Sequence, residues 1–111
     1  MPIQNNSIVM GSGIAATGTG GKVPLSGPNH SFQSVLTDGG GDNVAQVIIQ
    51  CSNDGTNWVT PVITLDHSDS GTEAGRIVDG TYTWARYNVT DLDAAGGDTL
   101  AVICSSSPGI R

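Results

Sequence analysis

Two runs rich in Val and Ile flank a centre of Asn, Asp and Gly between Val44 and Leu65, and this pattern constrains the fold more than any other. The first run is Val44-Ala45-Gln46-Val47-Ile48-Ile49-Gln50-Cys51, and the second is Val59 to Leu65. Between them stands Ser52-Asn53-Asp54-Gly55-Thr56-Asn57-Trp58. β-branched side chains suit a pleated strand. Asp-Gly suits a tight primed turn, because Gly takes positive φ without a Cβ clash. The spacing predicts an antiparallel hairpin, and with it an all-β chain. Side chains alternate along a strand, so Ala45, Val47, Ile49 and Cys51 share its apolar face. Pro61, in the middle of the return run, has no ladder N–H and predicts an edge or bulged strand.

The remainder of the chain reads the same way. Val, Ile and Thr total 30 of 111 residues against five Leu, while Lys, Arg and Glu, which populate solvated helix faces, total only five. Phe32 to Thr37, Thr83 to Thr90 and Thr99 to Cys104 read as further strands. In the second of these Ala85, Tyr87 and Val89 point inward and Trp84, Arg86 and Asn88 outward. Asp38 to Asp42 reads as a flexible loop, Asp66 to Gly75 as a polar connection and Asp91 to Gly97 as a turn. Arg76 to Val78 reads as a short strand before an Asp79-Gly80 turn. These segments predict an antiparallel β-sandwich or jelly roll of about six to eight strands over residues 31–105, followed by a tail at 106–111. Residues 1–30, Gly/Ser/Thr-rich and poor in apolar area, predict an extended N-terminal arm. It either settles short strands against a neighbouring molecule or is a loose leader with a first edge strand.

Net charge is −6 and the sequence pI is near 4.3. Four basic residues against ten acidic ones cannot build the cationic footprint that nucleic acid requires, and an anionic membrane surface is disfavoured by the same repulsion. The first residues lack a basic n-region and a long apolar core, and no run approaches the ~18 apolar residues of a membrane span. The expectation is a protein made and kept in a cytoplasm, or released by lysis.

The chemistry-bearing patterns are sparse. Gly11-Ser12-Gly13-Ile14-Ala15-Ala16 fits a dinucleotide fingerprint on paper, but Thr17-Gly18-Thr19-Gly20-Gly21 follows where a helix must begin. Asp38 with Asp42, Asp66 with Asp69, and Asp91 with Asp93 and Asp98 could converge as hard oxygen ligands. None carries the calcium-loop pattern, and solvated turn aspartates are the commoner case. His30 and His67 lack metal-ligand spacing, and no nucleophile motif is present, so neither metal, cofactor nor catalytic residue is expected. Cys51 and Cys104 fall in apolar registers and predict buried free thiols. Trp58, Trp84 and Tyr87 suit either packing or a sugar-stacking platform, with Trp84 and Arg86 outward-facing and of the types enriched at interfaces.

Two segments carry a resemblance: Ser52-Asn53-Asp54-Gly55-Thr56-Asn57-Trp58-Val59 and Trp84-Ala85-Arg86-Tyr87-Asn88-Val89-Thr90. With them the chain resembles small structural proteins of tailed bacteriophages, the capsid decoration or cement proteins. The order of Ala85-Arg86-Tyr87 and the two cysteines depart from the commonest form. The resemblance implies a non-enzymatic virion protein on the capsid surface, a trimer whose partner is the major capsid protein. Its contacts are expected from Ile3, Ile8, Val9 and Ile14 of the arm, with Trp84 and Arg86. The same hairpin and the Ala85-Arg86-Tyr87 strand also resemble galactose-binding-like jelly rolls of the discoidin kind. That likeness implies the alternative of a carbohydrate-binding module on a virion fibre. Another tail or neck subunit is the third reading.

Overall fold

Alternating burial sets two sheets face to face. The structure, a computed structural model, describes residues 6–26, 29–77 and 82–107. Among them run β1 (Asn6–Ile14), β2 (Gly18–Thr19), β3 (Val23–Pro24), β4 (Asn29–Thr37), β5 (Ala45–Ser52), β6 (Val59–His67), β7 (Gly71–Ile77), β8 (Trp84–Leu92) and β9 (Thr99–Ser107). One sheet has the order β1-β9-β4-β7. The other has β2-β8-β5-β6, with β3 also on β8, and every one of these pairs is antiparallel. The expected β-sandwich is the fold. Its nine strands exceed the expected number because β2 and β3 are two-residue pieces; β7 extends the short strand expected at Arg76 back to Gly71.

The core is filled from the inward faces of both sheets. Phe32 and Leu36 of β4 and Leu100 and Val102 of β9 meet Val47 and Ile49 of β5 and Val89 of β8, all fully buried. Cys51 and Cys104 are free thiols buried on opposing sheets, and burial pushes them up to about 12 and about 11. β6 is an outer strand with a register shift against β5 between Ile49 and Cys51, as Pro61 requires.

Residues 6–26, the described part of the expected arm, lie along the edges of their own domain. β1 pairs with β9, while β2 and β3 form one interrupted edge on β8. Tyr87 closes the side between these two edges. A Cβ on Gly20 would fall 2.1 Å from its ring, and one on Gly11 would lie 3.0 Å away, so both positions must stay small for the ring to fit. Ile3, Pro28, the Asp79-Gly80 turn and residues 108–111 lie outside the described residues.

Three expectations are corrected. The β5–β6 connection is no two-residue primed turn but a longer loop, residues 53–58, organised around Asp54. Asp66 and His67 finish β6, and Gly71 to Ile77 form β7, so the polar connection shrinks to residues 68–70. β7 carries weak strand formers because it is an edge. β4 supplies its ladder, and Gly75 passes beneath Ile63, whose Cγ2 would lie 2.8 Å from an added Cβ. Finally, residues 38–42 are not a slack loop. Carboxylates hold their backbone in place.

Candidate functional site

The loops divide between two ends of the sandwich. At the end where β5 and β9 begin lie residues 38–44, 68–70 and 93–98. At the other end lie residues 53–58 and the start of β8.

Asp98 organises the first end. It is completely buried, and its Oδ1 accepts the N–H groups of Gly39 and Gly41, both at 3.0 Å, while Oδ2 accepts that of Asn43 at 3.0 Å. Asp93 accepts Asp42 N–H at 3.0 Å and Gly96 N–H at 3.1 Å. The hydrogen bond from Gly39, with those from Asn43 and Gly41, holds the Asp98 carboxyl below its usual range. Glycine is required where the two loops touch, since a Cβ on Gly39 would meet Gly97 O at 2.0 Å. Asp42, Asp93 and Asp98 each bring one carboxylate oxygen within 4.8 Å of the others. They are drawn from two of the aspartate groups read in the sequence. They are hard-ligand donors, but these carboxylates already accept backbone N–H groups, so the cluster is first a structural brace for glycine-rich backbone.

At the opposite end the two sequence motifs meet. Asp54 accepts N–H groups from Asn57 at 2.8 Å and Thr56 at 2.9 Å, and Asn57 Nδ2 at 2.7 Å. Those bonds, with Ser52, hold its carboxyl far below the usual range. Gly55 (φ 76°) lies against the Trp84 indole, and Lys22 Nζ sits 4.7 Å from the centroid of the same ring. The Arg86 guanidinium lies 4.3 Å from the centroid of Trp58, and its Nε donates to Gln50 Oε1 at 2.6 Å. Gln50 Nε2 in turn donates to Thr60 Oγ1 at 3.0 Å, linking β8, β5 and β6. Both indoles are half-buried under cations.

Of the residues expected at an interface, Val9 is 62 % exposed. Ile8 and Ile14 turn toward the core side of β1 and are half-buried. Trp84 and Arg86 do face outward, but each is engaged within the chain. Sequence reasoning grouped Trp58 and Tyr87 with Trp84, whereas Tyr87 packs instead against Gly11 and Gly20, and it missed Lys22. It also missed Ser34 and His67, whose Oγ and Nε2 are 2.6 Å apart. That Ser–His pair is 0 % and 3 % exposed and bridges the two sheets from the interior. His30 Nδ1 lies 3.2 Å from Ser106 Oγ, again in the interior. Burial lowers the pKa of both histidines from the ordinary 6.5. The unfolded chain therefore binds these protons more readily, and stability falls as pH drops below about 6.5 toward the depressed native values. We expect Tm measured at pH 7, 6 and 5 to fall at each step, with the slope reduced in a His67→Gln variant. A flat profile over this range would contradict that reading.

Charge is segregated along the strands. Eight of the nine described carboxylates (all but Asp54) lie in the half of the molecule that holds Asp98. Lys22, Arg76 and Arg86 lie in the other half.

No family model matches the sequence, and no curated protein matches it. The fold has known likenesses. The SPBc2 prophage-derived protein YomS aligns over 96 % of both chains with a TM-score of 0.61 and 10 % identity. The PBSX exported protein XepA gives the same score and identity over 96 % of this chain, which spans only 38 % of XepA. A carbohydrate-binding module, CBM36 in complex with calcium and xylotriose, aligns over 92 % of this chain and 98 % of its own with a TM-score of 0.51 and 12 % identity. At these identities the shared property is the β-sandwich.

Proposed function

We propose that this chain is a non-enzymatic structural protein of a phage virion that decorates the capsid surface and stabilises the shell. The observation that carries the reading is the convergence of its two resemblance-bearing segments. Residues 52–58 and 84–90 pack Gly55 on Trp84 and Trp58 under Arg86, so what they share with phage decoration proteins is a surface-building unit. The prophage-derived YomS uses the same fold over its full length, which supports the reading. Binding of a folded module to an assembled lattice stabilises the lattice by mass action, and repetition around symmetric sites adds avidity. Trp84 and Arg86 supply the docking contacts, and the carboxylate-rich half suits an exterior position away from packaged DNA.

The test is co-sedimentation of the purified protein with expanded capsids. Saturable binding, weakened at least tenfold by Trp84→Ala, is expected. Absence of binding at micromolar concentrations overturns the proposal. The second reading, a carbohydrate-binding module, is favoured by the two half-buried indoles on one sheet face and by the fold shared with CBM36. Saturable quenching of tryptophan fluorescence by an oligosaccharide, without capsid binding, would select it.

A further inference from the structure

The outer face of the β1-β9-β4-β7 sheet is nearly free of charge. One row crosses all four strands at mid-height: Val9, Ile103, Gln33 and Ala74 are mutual partners in register. Val35 and Ala101 extend the apolar band one step toward the carboxylate-bearing end. Serines and threonines surround it, and among the described residues Arg76 alone brings charge, on the side away from the carboxylates.

We propose that this face is the interface between two copies of the chain, packed sheet on sheet with their strands antiparallel. Three features commit it to a second copy. First, a two-fold axis running along the middle row lays each of its residues over its own equivalent, so Val9 meets Val9, Ile103 meets Ile103, and the two Gln33 amides can pair. Second, the charge pattern selects the direction. The antiparallel arrangement brings Arg76 of each copy toward the other's carboxylate-bearing end, whereas the parallel one would stack eight carboxylates over eight in a chain already at −6. Third, four strands of about nine residues at ~3.3 Å rise and ~4.8 Å spacing cover about 600 Å² per copy. The resulting total of about 1,200 Å² clears the ~1,000 Å² a specific interface needs. A two-fold contact of this kind makes a pair in place of the trimer that the family resemblance implies. The pairing does not depend on the capsid reading.

Sedimentation velocity of the full chain from 5 to 200 µM tests it. A concentration-dependent species of twice the 11.3 kDa monomer mass is expected. Gln33→Glu sets two carboxylates across the axis and should weaken pairing at least tenfold. Arg76→Glu should weaken it too, while Thr64→Glu on the opposite sheet should leave it unchanged, all three with unaltered circular dichroism. A monomer throughout, a stoichiometry other than two, or a pair indifferent to Gln33→Glu overturns the proposal.

Discussion

An Asp98→Ala variant is expected to lose about 10 °C in Tm and to expose residues 38–44 to proteolysis, although no apolar contact of the core is removed. The cause is a shortage of acceptors. Gly39, Gly41 and Asn43 all direct their N–H groups at this one buried carboxylate. A glycine-rich loop has much conformational entropy to regain, so losing its anchor releases it. Asp98→Asn should rescue little. Oδ1 faces two donors and Oδ2 a third, so either orientation of the amide sets its NH₂ against a backbone N–H. Thermal melts and limited thermolysin digestion of both variants give the check. A variant melting within ~2 °C of the parent would show that water satisfies those donors equally well.

The second large effect belongs to Phe32. It is the sole phenylalanine of the chain, fully buried, and stands on β4 between Cys104 of β9 and Gly75 of β7. Gly75 contributes no side chain, so the ring fills that part of the inter-sheet space. Phe32→Ala removes the ring and leaves a cavity, a change that costs about 3–5 kcal/mol. Domains have about 5–15 kcal/mol in total, so urea denaturation should show the midpoint falling by roughly a fifth or more with an unchanged m-value. Phe32→Leu, which retains most of the volume, should recover more than half of the loss. A midpoint within experimental error of the parent would mean the two sheets close over the gap.

What could be read from residues alone follows from how local each feature is. The β5–β6 hairpin was legible because its apolar alternation and its Asp-Gly centre are adjacent in sequence, and the outward direction of Trp84 and Arg86 followed from period two. The loop conformation was less so, since Asp54 accepts the backbone N–H groups of Thr56 and Asn57 and the Asn57 side-chain amide, a side-chain geometry that Asp-Gly does not specify. The ordering of residues 38–44 was invisible, because its anchor lies 57 residues beyond Gly41. Of β7, Arg76 and Ile77 were legible, while Gly71 to Gly75 was not, for a different reason. An edge strand takes its ladder from one neighbour and buries little, so Gly71-Thr72-Glu73-Ala74-Gly75 needs no apolar period. The pairing of Arg86 with Trp58 and of Lys22 with Trp84 depends on strand register and on the path of β2 and β3, which no single segment encodes.

The claim underlying all of this is that the chain serves as a surface-building module of a virus particle. Quantitative mass spectrometry of gradient-purified particles from the strain that encodes it addresses that claim most directly. The chain is expected to co-purify with the major capsid protein in a copy number of the same order as the shell subunits. Recovery of the chain only in the soluble lysate, with none on intact particles, would contradict it.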